Sequence, residues 1–200
     1  MHFSPADNSR GSSDSHGNDG RARAPWRDDA GFSELYDYWE SGREAGSLPR
    51  ADKFDLLAVT PWLADMCLLD VLGPENYFCR FAGTALVERL GFDMSQQNIF
   101  TFQSSETRDL TAASYHAVVN QPCGAIARYS NHYSSGRSGV VRTLYLPLMA
   151  PQGGNFRIAC MTRREEEASY AAPIEQSVSG TDILDLIWID IGFGVPDIKA

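Results

Sequence analysis

The chain has 200 residues, 43% hydrophobic and 22% charged, with a formal net charge of −9 from 17 basic and 26 acidic side chains. No apolar run approaches the ~20 residues of a membrane-spanning helix, which argues against membrane insertion. Arg163-Arg164 is followed at once by three glutamates, so no basic face is offered to a phosphate backbone and nucleic acid is disfavoured as a partner.

Residues 1–30 hold no Leu, Ile or Val and are expected to form a disordered tail, because they cannot bury enough apolar surface to offset ordering. They also lack the continuous apolar stretch of a secretory signal, so the expected location is the cytoplasm. A helical segment is expected over 31–63. It starts with a helix from Glu34 to Glu44, capped by Ser33, in which Leu35, Tyr38, Trp39 and Gly42 share a face. Lys53–Leu57 adds a further helical turn.

The core is expected over 64–164. Met66–Val71 and Tyr77–Ala82 read as strands joined through Gly73-Pro74-Glu75-Asn76, a hairpin in which Tyr77, Cys79 and Phe81 alternate inward. A short helix, Ala85 to Leu90, is capped by Thr84 and stopped by Gly91. A longer one runs from about Glu106 to Asn120, after cap candidates Ser104 and Ser105 and before Gln121-Pro122. Gly124–Tyr133, Val140–Leu148 and Asn155–Thr162 follow as strands with turn-rich connectors. From Glu165 to Ala200 eight acidic residues face one basic residue, a local net charge of −7. Within that segment 182–191 fits a helix, with Ile183, Leu184, Ile187 and Ile191 in a stripe, and equally a strand, with Ile187, Ile189 and Ile191 on one face. The sum is an α+β fold: a five-stranded antiparallel sheet with helices on one face, plus an N-terminal helical lead-in.

Cys67, Cys79, Cys123 and Cys160 are spaced by 12, 44 and 37 positions with no CxxC, so no zinc site is expected, and the three in apolar runs read as packing residues.

Several segments resemble a family of small single-domain PAS proteins found in alphaproteobacteria. They are the Tyr38-Trp39 helix with Leu48-Pro49-Arg50, Asp55 and Leu68-Leu69-Asp70-Val71; then Phe81-Ala82-Gly83-Thr84-Ala85-Leu86-Val87 with Gly91-Phe92-Asp93 and Ser95; then Ile189 to Pro196. One position departs from the pattern, with Gln96 where a glycine commonly follows Ser95. The resemblance implies a PAS fold used in bacterial signal transduction and transfers no catalytic residue. It leads to a regulatory protein without an effector domain of its own, acting through a signalling protein partner, a small ligand or both, and expected to be a homodimer.

Phe81, His116, Tyr129, Tyr145 and Phe156 are the expected ligand-lining residues, and Tyr38, Trp39, Ile187 and Trp188 the expected interaction surface. No cofactor is required by the sequence. Asn76–Phe81 superficially resembles the Asn-Cys-Arg-Phe core of flavin-binding LOV photosensors, but its cysteine falls in a hairpin strand rather than on a later helix. His116 lies where haem-binding PAS domains supply an axial imidazole, without an identifiable orienting carboxylate. The alternative function is a small α+β-cone enzyme of the isomerase or dehydratase type using an acid/base pair, for which Asp70 and His116 are the candidates.

Overall fold

The computed structural model describes residues 24–44, 46–103, 105–151, 156–165 and 178–197. Expectations for 1–23, for Ser104, for the connector at 152–155 and for the acidic stretch 166–177 lie outside the described residues. Residues 24–30, assigned above to the tail, belong to the folded chain: Pro25–Asp28 form a 3-10 turn and Trp26 is buried.

Helix α1 (Ala30–Ser41) begins four residues before the expected start. Its cap is Asp29 rather than Ser33; the Asp29 carboxylate accepts from Phe32 N at 3.1 Å, while the Ser33 hydroxyl donates to the Arg27 carbonyl. A 3-10 stretch follows over Leu56–Asp65, with the Asp55 side chain accepting from Leu57 N. Next come β1 (Met66–Gly73), β2 (Asn76–Ala82), α2 (Thr84–Leu90), a 3-10 turn at Ile99–Phe102 and α3 (Ser105–Asn120). Strands β3 (Gly124–Tyr133), β4 (Ser138–Met149), β5 (Phe156–Arg164) and β6 (Val178–Ile189) complete the chain. Gly91 stops α2 at φ 77°, as expected, and Gly83 takes the cap position assigned to Thr84.

All six strands form one antiparallel sheet in the order β2-β1-β5-β4-β3-β6. The sixth strand settles the open choice for the C-terminal segment. Ile187 and Ile189 lie opposite Ile126 and Gly124, because the edge of β3 left free by β4 can satisfy the backbone of a neighbouring strand, as no isolated helix there could.

The sheet is covered on both faces rather than one. Alternation along β1 sends Met66 and Leu68 to one side and Cys67, Leu69 and Val71 to the other. The first side packs against α1 through Phe32, Leu35 and Trp39; the second packs under α2 and α3 through Leu86, Tyr115 and Val118. Past the Ala125–Tyr145 pair the edge of β4 has lost its β3 neighbour. Pro147 supplies no N–H there, and its carbonyl accepts from the Trp39 indole at 2.8 Å. Two residues on, Met149 exchanges backbone hydrogen bonds with Pro49 and Ala51 at 2.9 and 2.8 Å. The lead-in is thereby tied into the sheet.

The hairpin departs from simple alternation. Leu68 opposes Phe81 and Leu69 opposes Cys79, so Arg80 is the extra residue of a bulge. Tyr77 and Cys79 enter the α3-side core as expected, but beyond the bulge the parity flips, placing Phe81 on the α1 side and Ala82 on the α3 side.

Gln96, the departure noted in the sequence, has φ 63° and is the one non-glycine residue with positive φ among the described residues. Its backbone N–H donates to the Cys79 carbonyl at 2.7 Å and its side chain to the Arg80 carbonyl at 3.1 Å, so the bulged strand imposes the left-handed turn. Gln96→Val is expected to cost about 1–2 kcal/mol, because a β-branched residue tolerates this region poorly, and Gln96→Gly to stay within about 0.5 kcal/mol. Urea denaturation of both variants checks this.

Candidate functional site

Between the inner face of the sheet and α2, the Ile99–Phe102 turn and α3 lies a cavity of about 160 Å³. Its floor is Cys67 and Leu69 from β1, Tyr129 and Asn131 from β3, Val141, Thr143 and Tyr145 from β4, and Cys160 and Thr162 from β5. Its roof is Leu86, Arg89 and Leu90 from α2, then Phe92, Met94, Ile99, Phe102 and Gln103, then Thr111 and Tyr115 from α3. Val178 and Thr181 of β6 close one side.

Most polar groups in the wall are satisfied by each other. The Tyr129 and Tyr145 hydroxyls are 2.6 Å apart, those of Thr143 and Thr162 3.0 Å, and the Thr181 hydroxyl donates to Asn131 Oδ1 at 3.3 Å. Three described ones are not: Thr111, 3% exposed, has an unpartnered hydroxyl, Gln103 Oε1 is buried without a partner, and so is Arg89 Nε. Burial raises the Tyr115, Tyr129 and Tyr145 hydroxyls well above the ordinary tyrosine range, so all three are neutral at any working pH. Burial also raises Cys160, aided by its cross-strand neighbour Cys67, leaving it a weakly reactive thiol.

Among the described lining residues Arg89 is the charged side chain, and its charge is matched although its Nε has no partner. It donates to Asp65 Oδ1 at 2.6 Å and to the Thr162 carbonyl at 3.2 Å. Asp65 Oδ2 accepts from Arg163 at 2.8 Å, and Arg163 lies 3.4 Å from the Asp29 carboxylate that caps α1. Two arginines and two aspartates thus run from the cavity wall, past the end of the sheet, to the first turn of the helix on the opposite face.

Of the expected lining residues, Tyr129 and Tyr145 face the cavity. Phe81 is carried to the α1 side by the bulge, and Phe156 sits at the start of β5 between the two cores. His116 is half-buried but off the inward stripe of α3, which runs Thr111, Tyr115, Val118, so it does not line the cavity. Of the expected surface residues, Trp39 is 1% exposed and turned into the α1-side core, which removes it from any surface. The Tyr38 hydroxyl accepts from Asp55 N at 2.9 Å, and Trp188 packs under α3. Ile187, 45% exposed, does face outward.

The acid/base pair of the alternative reading is not assembled. Asp70 is held by Arg80 at 2.8 Å and Arg157 at 2.6 Å, and neither Asp70 nor His116 lines the cavity. Burial alone would raise the Asp70 carboxyl, but the hydrogen bonds from Arg157 and Arg80 outweigh it and hold the pKa below its usual value. A depressed carboxylate stabilises the fold above its unfolded pKa, and that contribution is lost as pH falls through the folded value. Asp70→Asn is therefore expected to lower stability by about 1–2 kcal/mol at pH 7, with the difference from wild type shrinking as the pH falls below the ordinary carboxyl pKa of about 4. Denaturant titration across that pH range checks it. Cys79, the cysteine of the LOV-like run, is on β2 outside the cavity lining; burial pushes its thiol up to about 12.

The PAS domain family model matches residues 27–162. This chain belongs to the PAS domain family. The match begins within the Pro25–Asp28 turn, so the α1 layer is part of what defines this PAS domain. Among solved structures it is similar to the light state of the blue-light photoreceptor Aureochrome1 LOV, at 12% identity over 55% of this chain and 88% of that one, TM-score 0.42. A fungal LOV domain photoreceptor matches at 16% identity over 66% and 90%, TM-score 0.43. The PAS domain of an HTR-like protein from Haloarcula marismortui matches at 12% over 70% and 98%, TM-score 0.35. At these identities and scores the likeness carries nothing about what this PAS domain binds. No curated protein matches the chain. No helix among the described residues is long and apolar enough to cross a membrane.

Proposed function

We propose that this chain is a sensory or regulatory PAS domain of the cytoplasm that holds a small molecule in the cavity and reports its presence to a protein partner. The observation that carries this reading is the cavity itself. It is lined mainly by apolar and aromatic side chains, it leaves the Thr111 hydroxyl, Gln103 Oε1 and Arg89 Nε without partners, and no carboxylate or imidazole is among its described lining residues. Buried polar groups without partners cost free energy that an occupant with complementary atoms recovers. The proposed role is non-catalytic, and Asp70 and His116, the pair of the acid/base alternative, are not among the cavity's described lining residues.

The charged network from Arg89 to Asp29 offers a path for output. A ligand that prefers one position of Arg89 biases the α1 cap, and differential affinity for two arrangements shifts their populations. Association as a homodimer is supported by β6, which ends the sheet among the described residues and leaves Leu184 and Ile187 exposed.

Native mass spectrometry of freshly purified protein, with its absorbance spectrum, tests both parts. The expected result is a dimer with a reproducible extra mass lost on denaturation. A monomer at apo mass would oppose this proposal.

A further inference from the structure

We propose that the cavity takes a neutral single-ring aromatic molecule carrying a hydroxyl or N–H donor, the chemical class of phenol. This rests on the cavity being the ligand site of the sensor, and deepens that reading.

Size sets the first limit. A cavity of about 160 Å³ is close to the engineered apolar cavity of roughly 150 Å³ that binds benzene. Drug-sized molecules need roughly 300 Å³ or more. The wall sets the second limit. Phe92 and Phe102 meet at 4.6 Å between ring centroids, and Tyr115 stands edge-on to Tyr145 at 5.7 Å, so the guest is met by ring faces and edges.

Polarity sets the third. The other hydroxyl pairs in the wall close on each other, leaving Thr111 Oγ1, Gln103 Oε1 and Arg89 Nε open. An amide oxygen only accepts, so the guest must present an O–H or N–H; a hydroxyl both gives and takes, so it also offers an oxygen to an open donor. Charge sets the fourth. Arg89 is matched within the Asp65, Arg163 and Asp29 network, so a carboxylate or ammonium in the cavity would be buried without a counter-charge. A neutral donor meets all four limits.

The test uses the full chain and three probes of matched size: phenol, toluene and benzoate. Melting temperature and calorimetric titration are the readouts. Phenol is expected to raise the melting temperature and to bind saturably, toluene to bind about five- to tenfold more weakly for lack of one hydrogen bond, and benzoate to give no shift. In Thr111→Val, a near-isosteric change, phenol affinity is expected to fall about five- to tenfold while toluene affinity is unchanged, and the melting temperature of the unliganded variant shows that it folds. Toluene or benzoate binding as tightly as phenol would overturn the proposal, as would a Thr111→Val variant with unaltered phenol affinity. If no probe binds but native mass spectrometry finds an extra mass, the ligand class is wrong and the sensor reading stands. If neither is seen, both fail.

Discussion

Gly83→Ala is expected to destabilise the fold by more than about 4 kcal/mol, the largest effect of a glycine-to-alanine change among the described residues. A Cβ at Gly83 would overlap the carbonyl oxygens of Leu63 and Ala64, which are backbone and cannot swing aside. The close approach is needed because the Gly83 N–H donates to the Met66 carbonyl at 2.8 Å while its own carbonyl starts α2, accepting from Val87 N at 3.0 Å. Its φ of −72° is available to any residue, so the requirement is space and not backbone conformation. Gly73→Ala is the control: nothing lies within 4 Å of a Cβ there, and its expected cost is under about 0.5 kcal/mol. Chemical denaturation of the two variants, with soluble yield for the first, decides the matter; equal stability would mean that the Leu63–Ala64 backbone can retreat.

Asp65→Asn is expected to cost about 3 kcal/mol although it changes one atom. Asp65 is the shared acceptor of Arg89 and Arg163, and Arg89 is 6% exposed. Removing the charge leaves a buried guanidinium without its carboxylate, the costly way to break such a pair. Removing Arg89 as well, in Asp65→Asn with Arg89→Met, is expected to recover part of the loss, because the orphaned charge goes with it. Additive losses in this double-mutant cycle would show that the two side chains do not stabilise each other.

The elements of the core were legible because local signals and tertiary context agree in them. Met66–Val71, the helix stopped by Gly91 and the strands β3 to β5 formed close to where hydrophobic runs, turn residues and caps placed them, whereas β6 was left open between helix and strand. Position on a face was harder. The Arg80 bulge leaves no mark in Tyr77–Ala82, a run without glycine or proline, yet it moves Phe81 to the other side of the sheet. His116 differs from the inward residue Tyr115 by one position, a step of about 100° that alanine neighbours could not resolve.

Trp39 and Trp26 were read as surface and tail because a helix ahead of a domain gives no sign of which face its partner covers. The α1 layer is a tertiary decision, made by the Trp39 indole finding the Pro147 carbonyl 108 residues later. The polar half of the site was missed altogether. Thr111, Gln103 and Arg89 are unremarkable as residue types, and what distinguishes them is burial and the presence or lack of a partner. Tyr129 and Tyr145 were found since inward-facing tyrosines on adjacent strands follow from strand parity, and they pair across the β3–β4 ladder.

Occupancy of the cavity is expected to be communicated to α1. Amide-resolved NMR of the full chain during a phenol titration measures this directly. Saturable shifts are expected at Thr111 and Tyr115 beside the cavity and, with the same dissociation constant, at Phe32 and Ser33 beyond the Arg89–Asp65–Arg163–Asp29 network. Shifts at the cavity with an unmoved α1 would contradict it.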